Sequence, residues 1–381
     1  MNFATVNGVT LRYTTAGSGG TPLVFINSLG TNLHIWDAVA ACFPHVQTVR
    51  YDKRGHGLSD APPAPYAMRD HSDDLRALLD HLQIERATLI GVSVGGMIAL
   101  DFAAQHPQRV ASLVLCDTAG KIGDAAGWNA RIDALEQNGM MQLAEPILDR
   151  WFAPDVGGAM RCIGRNMLTR TTLAGYVGTC AAIRDADLRP TLAALSMPAL
   201  VLCGAQDSAT PPELVKTLAV ALPNATFQTI DGAGHLPCWE QPTATAAAIK
   251  AFLSAQPNAR YETGMAIRRS VLGDAHVERA SGNITEFDAD FQRFITEFAW
   301  GTAWAGDSID KKTRHLITLA IIAALGKEHE FGMHVRATQN TGVTPDELKQ
   351  ALHHVAIYAG VPSANTAIGI AKKIYKELEI A

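Results

Sequence analysis

Residues 87–105 read ATLIGVSVGGMIALDFAAQ, and this stretch decides the fold. A β-rich run, ATLI, leads into a glycine-rich turn, and a helical stretch follows. Gly91 and Gly95 allow a turn sharp enough to hold the hydroxyl of Ser93 above a sheet. A serine placed between a strand and a helix in this way is typical of a catalytic nucleophile. We therefore predict that Ser93 is the nucleophile of an α/β protein.

A serine hydroxyl is a weak nucleophile until a base removes its proton, so a histidine and an orienting carboxylate should follow it in the chain. Asp207 comes just after the strand-like run VLC, and His235 ends the loop DGAGH that follows another such run. Both positions are at the carboxyl ends of strands, where open α/β sheets place their sites. We predict His235 as the base and Asp207 as the acid, with Asp117 as the alternative acid.

Hydrolysis of an acyl group also requires hydrogen-bond donors for the developing oxyanion, each worth about 3 kcal/mol of the barrier. The backbone N–H of Val94, directly after the nucleophile, is predicted to be one donor. The backbone N–H of Leu29, in the turn NSLG after the run LVFI, is predicted to be the second. An ordinary connection between a strand and a helix at this turn is compatible with that role.

The chain has two parts with different patterns. In the first part, short β-rich runs alternate with helical stretches, which predicts a mostly parallel sheet with helices on both faces. The β-rich runs end before Pro257, and only helices are predicted beyond it. We expect an α/β domain at 1–255, with a helical cap at about 120–190, and an all-α domain at 260–381. The helices predicted in the second domain are 284–298, 311–325 (capped by Asp310), 328–340, 345–358 and 365–378.

The composition is that of a globular chain, because 48% of the 381 residues are hydrophobic and 18% are charged. The net charge of -5 gives no basic excess for binding nucleic acid. The N-terminus has no export-signal pattern, and no apolar run reaches the roughly 20 residues of a membrane-spanning helix. We expect a cytoplasmic protein with no nucleic-acid or membrane partner. Its six cysteines form no CxxC pair and are interpreted as packing residues.

The second part contains the segment KEHEFGMH, which is close to the zinc motif HExxH but has the wrong spacing. Met333 stands where the second histidine is needed, four residues after His329, so no metal site is predicted. Glu330 and His334 are four residues apart and share a helix face, which suits a hydrogen-bonded acid/base pair in a cleft. A surface contact on one helix is the alternative interpretation. His315 adds another polar group to the same helical array.

Four motifs of the first part resemble α/β-hydrolases of the 3-oxoadipate enol-lactonase family. They are NSLGTNLHIW, YDKRGHGLS, GVSVGGM and GAQDSATPP, at residues 27–36, 51–59, 91–97 and 204–212. The resemblance covers about residues 3–253, with Asn27-Ser28 where many other α/β-hydrolases carry His-Gly. It implies that Ser93 opens an enol-lactone ring and that water then hydrolyses the acyl-enzyme.

An enol-lactone of this kind carries a carboxylate, so a cation is expected in the substrate pocket. Arg161, in the predicted cap, is the candidate, with Arg165 and Arg170 as weaker alternatives. Ordinary solvated arginines on a helix would give the same pattern. Trp128 and Trp151, also in the predicted cap, are expected to bind substrate.

Five motifs of the second part resemble 4-carboxymuconolactone decarboxylases, over about residues 260–379. They are YETGM, RSVLGDAHV, TRHLITLA, EFGMH and YAGVP, at residues 261–265, 269–277, 313–320, 330–334 and 358–362. Related domains use a CxxC pair before the histidine that matches His334, but this chain has no cysteine after Cys238, which excludes thiol redox chemistry.

The resemblance implies a decarboxylation that needs no cofactor, because electrons from the departing carboxylate pass through the ring to the lactone carbonyl. His334 is the candidate proton donor, with Glu330 setting its tautomer or sharing the role, and His315 could contribute to the site. The family also implies homo-oligomers, trimers or hexamers, built from the helical domain.

The two resemblances imply consecutive steps of the β-ketoadipate branch of protocatechuate breakdown, in which both substrates are small lactone carboxylates. Three alternatives remain open. The first is a hydrolase of other specificity, such as another esterase or lactonase. In the second, the helical domain serves only as an oligomerisation module. The third is a receptor on a hydrolase fold without turnover.

Overall fold

The computed structural model describes residues 2–256, 259–306 and 308–380, and the chain divides into two compact units, 1–256 and 257–381. The first unit is built on a sheet of eight strands with the order β1-β2-β4-β3-β5-β6-β7-β8. The strands are β1 Asn2–Val6, β2 Val9–Ala16, β3 Leu23–Ile26, β4 Thr48–Tyr51, β5 Ala87–Val92, β6 Val110–Cys116, β7 Ala199–Gly204 and β8 Ala225–Ile230.

The two N-terminal strands pair antiparallel, and every pairing from β4 to β8 is parallel. All residues of β3, β5 and β7 are buried, as expected for central strands of a sheet that is covered on both faces. The α/β prediction is therefore confirmed. The helices of this unit are α1 Asp37–Ala40, α2 Met68–His81, α3 Val94–Gln105, α4 Ala125–Trp151, α5 Gly158–Thr169, α6 Leu173–Asp185, α7 Pro212–Ala221, α8 Pro237–Glu240 and α9 Pro242–Ser254.

The helical cap consists of α4, α5 and α6, which are inserted between β6 and β7. The long helix α4 is bent at Gly139, whose φ of 73° belongs to the left-handed region that glycine adopts without steric cost. The predicted insertion between two strands is confirmed. It lies above the carboxyl ends of the parallel strands. There, Trp128 and Trp151 line the same cavity as Ser93.

The second unit is helical throughout its described residues. Its α-helices are α10 Ala259–Leu272, α11 Asp274–Gly282, α12 Ala289–Ile295, α13 Lys311–Ala324, α14 Glu328–Thr341, α15 Pro345–Tyr358 and α16 Val361–Glu377. Asp310 caps α13 as predicted, because its side chain accepts a hydrogen bond from the Thr313 N–H at 2.8 Å. The prediction of an all-α second part is confirmed.

Two features of this unit differ from the sequence prediction. Helices α10 and α11 lie before residue 284, where the first individual helix of this unit is predicted from the sequence. The predicted helix 284–298 is shorter at its start, and α12 continues into a π-helical segment, Thr296–Ala303. This segment carries Trp300, and Trp304 follows directly after it. Within the described ranges, no helix is both long and apolar enough to cross a membrane.

Candidate active sites

Ser93 stands at a strained turn between β5 and α3. Its φ of 57° and ψ of -121° are rare for a residue with a side chain. The two flanking glycines are required by space, because a Cβ on Gly91 would lie 2.2 Å from the Gly95 carbonyl oxygen, and one on Gly95 would lie 2.4 Å from that of Ile26. The predicted turn is therefore present, and it lifts the serine hydroxyl into a cavity.

His235 lies in the same cavity and is held from behind by Asp207. The His235 Nδ1 and Asp207 Oδ2 atoms are 2.9 Å apart. Asp207 also accepts hydrogen bonds from the Thr210 hydroxyl at 2.6 Å and from the Ala209 N–H at 2.7 Å. Although burial opposes ionisation, His235 and Thr210 hold the pKa of Asp207 below its usual value. Ser93 and His235 thus line one cavity, and His235 is paired with Asp207, as a serine, histidine and aspartate triad requires.

Asp117, the alternative acid, is buried close by but does not contact His235. One of its oxygens accepts the Gly204 N–H at 2.8 Å, and the other has no hydrogen-bond partner among the described residues. Burial and the charge of Asp207 raise the pKa of Asp117 well above its usual value. The structure thus places Asp207, and not Asp117, against the histidine.

The two backbone groups predicted for the oxyanion lie beside Ser93. The Val94 N–H belongs to the first turn of α3, where no carbonyl one turn earlier can accept it. Leu29 lines the cavity, and its N–H donates no hydrogen bond to any described residue. Both donors are therefore free to bind a developing oxyanion.

The cavity has a volume of about 400 Å³ and lies between the strand ends and the cap. Trp128 and Trp151 both line it, as the sequence suggested. Two arginines line it as well, Arg131 and Arg150. The Arg131 guanidinium donates to the Tyr176 hydroxyl at 2.6 Å and lies over the Trp128 ring. The two guanidinium groups bring positive charge to the cavity, which Asp124 also lines.

The structure does not bring Arg161 into this cavity. Arg161 pairs with Glu145 at 2.7 Å and with Asp149 at 2.6 Å, both on the cap helix α4. Of the two weaker alternatives, Arg165 pairs with Glu145 and Arg170 lines a separate cavity. The expectation for Arg161 is wrong because its guanidinium is neutralised by the helix that it packs on. A usable signal for Arg131 was its position one turn after Trp128.

The second unit brings two histidines together in its interior. His334 Nδ1, on α14, lies 3.0 Å from His315 Nε2, on α13. His315 Nδ1 in turn lies 2.6 Å from the hydroxyl of Thr341. His315 is completely buried and His334 nearly so. The sequence marked both histidines as candidates but missed Thr341, which stands two turns after His334 on the same face.

Two tryptophans cover this histidine pair. The Trp300 and Trp304 rings lie within 14° and 17° of the plane of His334, with centroids 6.4 and 6.3 Å from it. Burial, and secondarily the charge of His276, lowers the pKa of His334 to about 4. Burial and His334 lower the pKa of His315 to about 3. Both histidines are therefore neutral at neutral pH.

Glu330 is placed differently from the prediction. Its side chain is exposed and makes no hydrogen bond with His334, although its charge is near enough to oppose the lowering of the His334 pKa. The predicted hydrogen-bonded pair is thus replaced by a pair of histidines. The reason is geometric, because His334 turns its Nδ1 atom inward toward α13.

A larger cavity of about 690 Å³ lies beside the histidine pair, between α11, α14 and α16. His276, the residue whose charge acts on His334, lines it. Arg279, Arg336 and Lys373 also line it, together with three acidic residues, Asp274, Glu328 and Glu377. His334 itself is not part of this lining, because it occupies a neighbouring face of α14.

Comparisons with known proteins agree with this division into two sites. The model of the α/β hydrolase fold matches residues 21–145 and 167–242, and that of the carboxymuconolactone decarboxylase family matches residues 289–373. 3-Oxoadipate enol-lactonase 2 of Acinetobacter baylyi is 36% identical over 255 residues, which are 65% of this chain and 95% of the relative.

A second relative matches the other part of the chain. The 4-carboxymuconolactone decarboxylase of Acinetobacter baylyi is 46% identical over 122 residues, which are 32% of this chain and 91% of the relative. Among solved structures, the enol-lactonase from Burkholderia xenovorans superimposes with a TM-score of 0.65 at 35% identity, covering 66% of this chain and all of its own. The chain therefore belongs to the α/β-hydrolase family in its first unit and to the carboxymuconolactone decarboxylase family in its second.

Proposed function

We propose that this protein is a bifunctional enzyme that decarboxylates 4-carboxymuconolactone to 3-oxoadipate enol-lactone and hydrolyses that lactone to 3-oxoadipate. Two observations in one chain carry the proposal. Ser93 and the His235–Asp207 pair meet at a cavity with two arginines, and a buried histidine pair lies in a decarboxylase-family unit. One relative is named a 4-carboxymuconolactone decarboxylase and the other a 3-oxoadipate enol-lactonase. Loss of CO2 from 4-carboxymuconolactone gives the enol-lactone, so the two reactions are consecutive.

In the hydrolase unit, His235 removes the proton of Ser93 as its oxygen attacks the lactone carbonyl. The charge that develops on the carbonyl oxygen is stabilised by the N–H groups of Leu29 and Val94. Asp207 stabilises the imidazolium formed on His235. The ring opens with an enol as leaving group, and water activated by His235 then releases the acyl group from Ser93.

The side chain of the lactone carries a carboxylate, which we assign to Arg131 and Arg150. Both arginines line the cavity that contains Ser93, and a charge-assisted hydrogen bond from a guanidinium is about twice as strong as a neutral one. The Tyr176 hydroxyl and the Trp128 ring fix the orientation of Arg131.

In the helical unit, we assign His334 as the proton donor to the α-carbon of the dienolate formed by loss of CO2. Thr341 donates its hydroxyl proton to the carbonyl of Thr338, at 3.3 Å, and so accepts from His315 Nδ1. His315 Nε2 then accepts from His334 Nδ1, which leaves His334 Nε2 for the transferable proton. The substrate carries two carboxylates, and a nearby negative charge raises the pKa of a histidine and favours its protonation.

The helical unit also supports a proposal of self-assembly into a trimer or hexamer. Phe287, Phe291, Phe294 and Phe298 follow one another at helical spacing, and all four side chains are exposed. Exposed apolar patches of this kind are unusual on monomers and mark interaction surfaces. The same observation favours the second candidate function, in which the helical unit only assembles hydrolase units of other specificity.

A carbon NMR time course with 4-carboxymuconolactone as sole substrate tests the proposal. The wild type should release CO2 and form 3-oxoadipate. Ser93→Ala should release CO2 and accumulate enol-lactone beyond the rate of its spontaneous hydrolysis. His334→Gln should release no CO2 but still hydrolyse enol-lactone supplied directly.

The outcomes separate the two candidates. If no variant and no wild-type sample releases CO2, the decarboxylase assignment fails. If wild type releases CO2 and His334→Gln releases it equally fast, the unit is a decarboxylase but His334 is not its proton donor. If Ser93→Ala hydrolyses the lactone normally, the triad assignment fails.

A further inference from the structure

Hydrogen-bond donors converge on a single carbonyl oxygen, that of Ser28, next to the hydrolase site. The Lys53 Nζ atom lies 2.6 Å from this oxygen and the Thr31 hydroxyl 2.9 Å from it. The Thr31 N–H and the Asn27 side-chain amide approach it at 3.3 and 3.4 Å. A carbonyl oxygen has two lone pairs, so this number of donors is unusual.

The contact from Lys53 is the shortest of these, and its amine is the donor whose burial is least favourable. Its side chain is only 1% exposed, and burying an amine that can carry charge is unfavourable unless a partner compensates. Asp52 is the acidic neighbour, and its charge opposes the lowering of the Lys53 pKa by burial. In either protonation state, the amine keeps an N–H to donate to Ser28.

Loop anchoring alone does not account for Lys53, because other contacts already hold the loop. The Gly30 N–H donates to His56 Nε2 at 2.9 Å. The Leu33 N–H donates to a carboxylate oxygen of Asp52 at 2.7 Å. The turn is thus fixed after Ser28 without the lysine.

The carbonyl of Ser28 and the N–H of Leu29 belong to the same peptide group. The C–N bond of a peptide is partly double, so charge drawn toward the oxygen leaves the N–H more positive. Hydrogen bonds in such a chain strengthen one another by about 10–30% per bond. Leu29 N–H is the group free to bind the oxyanion.

We infer that Lys53 is a positioning residue for the hydrolase reaction, which polarises the Ser28–Leu29 peptide and thereby makes the Leu29 N–H a stronger oxyanion donor. The inference rests on the proposed serine hydrolase function. Lys53 touches no substrate and acts only through this peptide. Its contribution should therefore increase as negative charge develops on the oxyanion and be small for the bound ground state.

Lys53→Met and Lys53→Gln test the inference in the full-length protein. Methionine keeps the length and apolar stem without a donor, and glutamine keeps a neutral donor. Loss of one complete oxyanion donor lowers kcat by about 10²- to 10³-fold, so weakening that donor by about 10–30% should lower kcat by about two- to eightfold in Lys53→Met. KM for the lactone should change little, and Lys53→Gln should lie between Lys53→Met and wild type.

A second readout separates polarisation from a structural role. A trifluoromethyl ketone that adds to Ser93 places an oxyanion against Leu29 and Val94, whereas the cyclic ether analogue of the lactone, a dihydrofuran acetate without the ring carbonyl, places no oxygen there. The affinity for the ketone should fall by the same factor as kcat in Lys53→Met, and the affinity for the cyclic ether should not. Thr31→Val, which removes a neutral donor from the same oxygen, should lose less than Lys53→Met.

Three results would overturn the inference. One is a folded Lys53→Met with wild-type kcat and ketone affinity. Another is a Lys53→Met that weakens binding of the cyclic ether and of the ketone equally, which indicates a displaced loop. The third is a Lys53→Gln variant whose kcat and ketone affinity equal those of wild type. This variant tests the inference even if Lys53→Met does not fold. Ser93→Ala tests the proposed function separately. If turnover persists in this variant, the serine hydrolase assignment itself fails, and not only the role of Lys53.

Discussion

Two aspartates lie at adjacent strand ends beneath the hydrolase site, and their surroundings shift the pKa values of their carboxyl groups in opposite directions. Asp207 is held ionised by His235 and Thr210, whereas Asp117 receives one N–H, from Gly204. Carboxylate oxygens of the two residues lie within 4.8 Å of each other. Because two buried like charges at this distance repel, the site is stable with a proton on Asp117. Only Asp207 can then compensate the charge that forms on His235.

This difference predicts unequal effects of two matched substitutions. Asp207→Asn should lower kcat for the enol-lactone by about 10⁴-fold, because an amide favours the wrong tautomer of the histidine. Asp117→Asn should leave kcat near the wild-type value, since it replaces a neutral carboxyl with a neutral amide. Steady-state kinetics measure both. A loss in Asp117→Asn as large as that in Asp207→Asn would show that Asp117 carries charge.

Arg131 provides a second prediction for a single residue. Arg131→Gln should lower kcat/KM for the lactone carboxylate by about 10- to 100-fold, because a hydrogen bond to a charged group contributes about 1.5–3 kcal/mol. Hydrolysis of a neutral aryl ester should be much less affected. Arg161→Gln is the control, because Arg161 pairs with Glu145 and Asp149 and does not line the cavity. Equal losses in both arginine variants would contradict the assignment.

The individual residues differ in how readily the sequence reveals them. Ser93, Asp207 and His235 can be selected because each stands in a short motif at a strand end. Arg131 cannot, since its direction depends on how the cap helices pack over the sheet. Lys53 cannot either, because its role depends on a hydrogen bond to Ser28, 25 residues earlier in the chain.

At the scale of elements, α13 and α14 are joined through a buried chain of polar groups. His315 extends from α13, His334 and Thr341 from α14, and their side chains bond in series. The π-helical segment Thr296–Ala303 brings Trp300 over this chain, and π-helical turns often occur at functional sites. The polar contacts and the proton transfer proposed for His334 therefore depend on the same pair of helices.

This arrangement predicts that the helix pair becomes less stable in acid. His334 has a pKa of about 4 in the folded state against 6.5 for the exposed side chain, so the folded state binds fewer protons between these values. Stability is thus complete above about pH 6.5 and decreases as the pH falls toward 4, by about 3 kcal/mol for His334 alone.

Hydrogen exchange of peptides from residues 311–341, corrected for intrinsic rates, measures this effect. Protection should fall between pH 6.5 and 4 in the wild type. The decrease should be smaller in the variant His315→Gln/His334→Gln, whose side chains do not titrate. An identical decrease in the variant would assign the acid sensitivity to other groups.

The sequence predicts the elements well where apolar spacing is regular and less well elsewhere. Helices α13 to α16 are anticipated within a few residues, because each buries a stripe that packs in one cluster with Leu319, Phe331 and Leu352. Helices α10 and α11 are not, since α10 is only weakly amphipathic. The π-helical segment cannot be anticipated, as its local spacing is that of an ordinary helix.

At the scale of the whole molecule, the described residues form three hydrophobic clusters, and each lies within one unit. The core of the first unit surrounds the sheet, and the second unit has its own clusters among the helices. Because both candidate sites belong to one polypeptide, they are present in equal numbers. Under the proposed function, the covalent link raises the effective concentration of the hydrolase site around the product of the decarboxylase site.

The exposed phenylalanines predict that this molecule assembles through its helical unit. Phe294→Glu should shift the mass measured by light scattering after size exclusion toward the monomer, because a charge buried in an apolar interface is strongly unfavourable. Val220→Glu, at an exposed position on α7 of the first unit, should leave the mass unchanged. A wild type that elutes as a monomer would contradict the proposed assembly.

The pair of indoles beside His334 gives the helical unit a natural optical signal. Trp300 and Trp304 lie with their ring centroids 5.0 Å apart, and both are nearly parallel to the imidazole. A protonated imidazole quenches the emission of a neighbouring indole more strongly than a neutral one. Any ligand whose binding leads to protonation of His334 should therefore decrease the fluorescence of this pair. Ligand binding can then be measured by intrinsic tryptophan fluorescence, without a label.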